Sequence, residues 1–179
     1  MFDWDGSSTG ATEGGALFVS RAAQGKGRHD APDTYGAWYC SRDPASAVAE
    51  TIRFARRQVL EDLDFARPDG AVLALVELSL DDAVGLLDLD DPLELAARRI
   101  RPSQVAAGQR AVVQHIARSI FDEGAAGFLW WSTLEGGWTN ATLFYERALP
   151  HVSIVARPKR LSIRLPEVKE AAERIGIRI

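Results

Sequence analysis

One cysteine and three histidines among 179 residues leave little material for several kinds of chemistry. With Cys40 alone, no disulfide can form within the chain, and the scattered His29, His115 and His151 lack the spacing of a zinc site. No metal is therefore expected. No Gly-x-Ser-x-Gly elbow occurs, which makes a Ser-His-Asp hydrolase a poor reading. Gly25-Lys26-Gly27 lacks the third glycine and the immediate helix of a dinucleotide or phosphate loop. There is no run of about 18 apolar residues, so no helical membrane span is expected. An excess of basic charge is missing too. Twenty-one Lys and Arg stand against 25 Asp and Glu, for a net charge of −4, which argues against unselective binding of nucleic acid. The opening MFDWDGSSTGATEGG has acids where a signal peptide needs bases, and no apolar stretch. The expectation is a cytoplasmic protein.

What is present suits a packed core. The chain is 46% hydrophobic and 26% charged, enough for one domain of ordinary size without covalent staples. Residues 1–14, rich in Gly, Ser and Thr, read as a flexible lead-in to a domain over 15–179. Strands are expected at 15–22, ending near Arg21, and at 37–41, 71–80, 84–89, 127–133, 142–147 and 152–157. Asp43 and Pro44 form a helix start, with good helix formers over 45–57 and an apolar stripe of Ala47, Val48, Ile52 and Ala55. Further helices are expected from Asp91-Pro92 to about Arg99, over 102–122, and over 166–174 with Gly176 as the stop. Strands and helices mix without a βαβ rhythm. That favours an α+β domain with a split, mainly antiparallel sheet flanked by helices.

Five residues carry the chemical signal: Arg21, Arg28, Tyr39, Glu50 and Ser132. Arginine offers a rigid fork of donors that matches phosphate, so Arg21 and Arg28 can clamp a pyrophosphate, although most basic residues simply solvate a surface. Tyr39 can stack on a flat base or fill a core, and Tyr35 and Trp38 compete for that place. Glu50 borders the apolar stripe of its helix. A carboxylate there can bind a ribose hydroxyl and balance an oxocarbenium-like transition state, or merely pair with Arg53 or Arg57. The Ser132 hydroxyl, next to Trp130-Trp131, can reach a phosphate or ribose. Cys40 reads as a small buried residue, not a nucleophile.

The order and spacing of these residues resemble the RES-domain family. LFVSRAA carries Arg21, GKGRHD carries Arg28, AWYCS carries Tyr39, and SAVAE carries Glu50 eleven residues further on. GFLWWS carries Ser132, with Asn140 and Phe144 after it. The match runs over roughly 15–157. It departs at His29, where an aromatic, often Trp, is usual, at Cys40 in place of an aliphatic, and in the short Arg21–Arg28 loop. The resemblance implies a fold similar to mono-ADP-ribosyltransferases and NAD as substrate, with no tightly bound cofactor. It implies that Arg21 and Arg28 grip NAD, Tyr39 stacks on nicotinamide, Glu50 assists glycosidic cleavage and Ser132 supports a phosphate or the ring amide. Inorganic phosphate is the first acceptor it suggests; water or a protein are the alternatives, and a catalytically silent binding module is the rival from another class. A neutralising antitoxin is the partner implied. A homo-oligomer stays open.

Overall fold

The structure is a computed structural model describing residues 1–8 and 10–179, without the side chain of Arg57. In chain order the strands are Phe2–Trp4 (β1), Ala37–Ser41 (β2), Val72–Leu75 (β3), Leu78–Leu80 (β4), Leu87–Asp88 (β5), Gly127–Trp131 (β6), Thr139–Phe144 (β7), Val152–Ile154 (β8) and Lys159–Arg160 (β9). The α-helices are Pro44–Ile52 (α1), Pro92–Ala97 (α2), Pro102–Val105 (α3), Arg110–Asp122 (α4), Tyr145–Ala148 (α5) and Pro166–Arg174 (α6). The fold is α+β, and its strand pairings are mainly antiparallel. Two compact units form, each from separated stretches of chain: Met1–Phe18, Ser41–Ser79 and Ser153–Ile179 make one, Val19–Cys40 and Leu80–Val152 the other.

In the first unit, β3 is the centre of a sheet ordered β1-β3-β9 with antiparallel neighbours. Helix α1 packs against α6. The Asp43 carboxylate starts α1 by accepting from the N–H groups of Ala45 (2.7 Å) and Ser46 (3.3 Å), and Pro44 occupies the first turn. Val48 and Ile52 of α1 and Val168 of α6 are fully buried, each contributing roughly 1.5–3 kcal/mol of hydrophobic stabilisation. Gly176, at φ 70, ends the α6 segment as expected.

In the second unit the sheet order is β2-β7-β6-β5. Strands β6 and β7 are antiparallel, from Gly127 opposite Leu143 to Trp131 opposite Thr139, while β5 runs parallel to β6. Helix α4 buries Val113, Ile116, Ala117 and Ile120, one helical stripe, and the last three join a core shared with Tyr35, Phe128, Trp130 and Phe144.

Several elements differ from the sequence expectation. The lead-in begins with β1, paired Phe2 opposite Ala74, and Trp4 is buried with its indole N–H donating to the Ser8 carbonyl at 2.9 Å. Residues 15–22 are not a strand. The N–H groups of Leu17, Phe18, Arg21 and Ala23 bond to carbonyls of Gly10, Gly15, Val19 and Ser20, so the segment closes in turns and Arg21 opens a 3₁₀ turn. The 71–80 run is two strands because its partner changes: β3 pairs with β1 and β9, β4 with β8. The helix expected over 102–122 breaks between α3 and α4, where Gly108 is unfavourable to a helix by about 1 kcal/mol relative to alanine. The helix expected to reach Arg57 tightens into a 3₁₀ turn after Ile52. The strand expected at 142–147 starts earlier, at Thr139, and stops at Phe144, since the Tyr145 N–H bonds to the Gly36 carbonyl and the chain turns helical.

Replacing Asp43 with Ala orphans the first donors of α1 and is expected to lower stability by about 1 kcal/mol. Urea denaturation of the variant beside the wild type measures it.

Candidate active site

Strand β2 starts under a side-chain clamp. The Gln24 amide donates to the Ala37 carbonyl at 2.6 Å, and its oxygen accepts from the Ala37 N–H at 2.8 Å. Two residues on, Tyr39 is partly buried, whereas Tyr35 and Trp38 are buried in the core. The Tyr39 hydroxyl donates to Asp30 Oδ1 at 2.7 Å and accepts from the His29 backbone N–H at 2.9 Å. Asp30 Oδ2 accepts in turn from the N–H groups of Gly25 (2.7 Å) and Gly27 (2.6 Å). Burial, and then the Asp30 carboxylate, push the Tyr39 hydroxyl well above the ordinary phenol range, so it stays protonated.

The arginines are anchored. Arg28 donates from Nη2 to the Val105 carbonyl at 2.6 Å, and its guanidinium carbon lies 5.4 Å from the Trp130 ring centroid. The neighbouring Gly27 carbonyl accepts from Gln114 Nε2 at 2.9 Å. Arg21 donates from Nε to the Pro32 carbonyl and from Nη1 to Glu146 Oε1 at 3.1 Å. Glu146 also accepts from the Gly36 N–H.

His29, between Arg28 and Asp30, is buried. Its Nδ1 lies 2.8 Å from Thr142 Oγ1, which itself accepts from Trp130 Nε1 at 3.1 Å, so the Thr142 proton can be donated to a neutral imidazole. Phe128 and Trp130 meet the ring edge-on at 4.9 and 5.0 Å. Burial, reinforced by the Arg28 charge, lowers the His29 pKa from 6.5 to about 3.

Ser132 follows β6 and is buried. Its hydroxyl accepts from the Leu134 N–H at 3.1 Å, which closes the turn towards Trp138. Asn140, in β7, is buried as well. Glu50 belongs to the first unit. It lies on α1, about one-quarter exposed, with Arg53 Nη1 3.4 Å from its Oε2; the side chain of Arg57, the other expected partner, lies outside the described residues. The structure thus gathers Arg21, Arg28, Tyr39 and Ser132 in one unit and puts Glu50 in the other.

Among solved structures, a chain of the M. tuberculosis MbcT–MbcA toxin–antitoxin complex is similar, with a TM-score of 0.59 and 18% identity over 84% of this chain and 76% of that one. At that identity the likeness is one of fold. No curated protein matches the sequence. The sequence does match the RES domain over residues 6–164, far more than half of its length. The chain belongs to the RES-domain family.

In this RES domain the residues that the sequence did not single out are Gln24, which clamps the start of β2, Asp30, which holds Tyr39, and Glu146, which holds Arg21. Asp30 carried a local signal, an Asp a few residues past a Gly-x-Gly turn, where a carboxylate can gather backbone N–H groups. Gln24 and Glu146 carried none, because their partners are remote in sequence. The Cys40 thiol is pushed up to about 11 by burial, which makes it a poor nucleophile at neutral pH. Among the described residues, no cluster of His, Cys, Asp and Glu could hold a metal ion, and no helix is long and apolar enough to cross a membrane.

The His29 shift has a definite sign. Its folded pKa of about 3 lies below 6.5, so the unfolded chain takes up the proton first as pH falls. The stability that neutral His29 supports is complete above pH 6.5 and declines as pH drops towards 3. Between neutrality and a pH of about 5 the loss should reach about 2 kcal/mol, and His29→Phe should flatten it. Denaturation midpoints across that range, for both proteins, measure the effect.

Proposed function

We propose that this protein cleaves the nicotinamide–ribose bond of NAD and acts as the toxin of a toxin–antitoxin pair. The observation that carries the reading is the RES-domain match over residues 6–164, which takes in Arg21, Arg28, Tyr39, Glu50 and Ser132 together. The fold likeness to a chain of a toxin–antitoxin complex supports the partner.

The residues take the following parts in this reading. The C1″–N bond breaks, its electron pair leaves with nicotinamide, and positive charge builds on the ribose. The Glu50 carboxylate stabilises that charge. Tyr39 contributes its ring to the nicotinamide, since its hydroxyl is already engaged on Asp30 and His29. Arg21 meets a phosphate by exchanging Glu146 for it. An exposed ion pair is worth at most about 1 kcal/mol, so the exchange costs little. Arg28, stacked on Trp130 and tethered to Val105, adds a fixed positive charge for the pyrophosphate, and Ser132 supports a phosphate or the ring amide. An oxygen of inorganic phosphate then bonds to C1″, giving ADP-ribose 1″-phosphate and free nicotinamide. An antitoxin would restrain this chemistry in the cell.

Purified protein is expected to release nicotinamide from NAD, faster when phosphate is added. Loss of NAD without phosphate dependence would make it a hydrolase, and label appearing on a protein would make it a transferase. Intact NAD under both conditions would overturn the enzyme reading. Glu50→Gln is expected to lower kcat at least about a hundredfold while the protein stays folded. Chromatographic nicotinamide assays and circular dichroism check both halves.

A further inference from the structure

We propose that Asp30 is a positioning residue for NAD cleavage, which locks Tyr39 so that its ring faces the substrate and holds the loop that leads to Arg28. This inference rests on the NAD reading above, and it concerns contacts inside the second unit only.

A tyrosine hydroxyl has one proton to give. In Tyr39 that proton goes to Asp30 Oδ1 at 2.7 Å, and the oxygen also accepts from the His29 N–H at 2.9 Å. The hydroxyl is therefore a tether, and what remains for a ligand is the ring face. The other Asp30 oxygen takes the N–H groups of Gly25 and Gly27, directly before Arg28. One carboxylate, only 6% exposed, thus joins strand β2 to the loop. Its donors are neutral, and each bond to a buried carboxylate is charge-assisted.

Sterics tie the arrangement to this sequence. A Cβ on Gly27 would collide with the Asp30 carboxylate and come within 2.6 Å of the Tyr39 hydroxyl, so the loop closes over this contact only with glycine there. Arg28 and His29 then point to opposite duties from adjacent positions. Arg28 reaches the Val105 carbonyl and Trp130, and His29 fills the core against Thr142. Asp30 sets where that divergence begins. A group that positions substrate-binding elements, and does not itself touch the reacting bond, should change KM more than kcat.

The test uses the full chain and four variants: Asp30→Ala, Asp30→Asn, Tyr39→Phe, and Asp30→Ala combined with Tyr39→Phe. Loss of the carboxylate is expected to raise KM for NAD about tenfold or more, with kcat within about threefold. Asp30→Asn keeps an acceptor and should recover part of the KM loss. Because both residues act through one contact, the double variant should be no worse than Asp30→Ala alone. Amide exchange at Gly25 and Gly27 should accelerate at least about tenfold in Asp30→Asn. Single effects that multiply in the double variant would overturn the inference. So would a fall in kcat at constant KM, or unchanged exchange at the two glycines. If Asp30→Ala does not fold, Asp30→Asn and Tyr39→Phe carry the comparison. A wild-type protein that leaves NAD intact removes the NAD reading itself, whereas an active wild type with multiplicative effects removes only the role of Asp30.

Discussion

A carboxylate shut away from water must find donors, because an unsatisfied buried charge costs several kcal/mol. Asp30 meets that demand with the Tyr39 hydroxyl and two backbone N–H groups, and much of the second unit's local geometry follows. The loop must fold back on itself to bring Gly25 and Gly27 to one oxygen. That return puts His29 into the core and Arg28 against Val105 and Trp130. Gln24 and Glu146 complete the frame from either side, one clamping the start of β2 and the other joining Arg21 to the Gly36 amide.

The frame explains why the unit invests buried polar groups near its core. Thr142, Trp130 and His29 form a chain of hydrogen bonds and ring contacts around a buried imidazole. Burial keeps it neutral through the physiological range. Arg21, Arg28 and Tyr39 thereby sit on parts held by Glu146, Val105 and Asp30.

The first unit follows simpler rules. An Asp cap and a Pro at the first turn start α1, an apolar stripe buries it against α6, and Gly176 ends the α6 segment. The cap, the proline, the stripe and the glycine are local devices, legible in the order of residues, whereas the packing of α1 on α6 was not. The partner-dependent elements were not. Residues 15–22 have strand-like composition, but the N–H groups of Leu17, Phe18, Arg21 and Ala23 turn to nearby carbonyls instead. The apolar run over 71–80 is continuous in sequence, yet its two halves pair with different strands. Phe2–Trp4 became a strand because β3 offered an edge.

The same division holds for the site. By itself the sequence determined the mixed α+β class, the start of α1, the limits of β2 and α6, and membership of the RES-domain family, with Arg21, Arg28, Tyr39, Glu50 and Ser132 as its candidate site. Such features depend on neighbours within a few positions, or on an order that can be read along the chain. Only the tertiary structure decided what holds those residues. It paired Arg21 with Glu146, 125 positions away, put His29 beside Thr142 at a separation of 113, and turned the Tyr39 hydroxyl inward to Asp30. The reason is physical: a hydrogen-bond partner is chosen by where burial forces a polar group to be satisfied, and burial is a property of the folded chain.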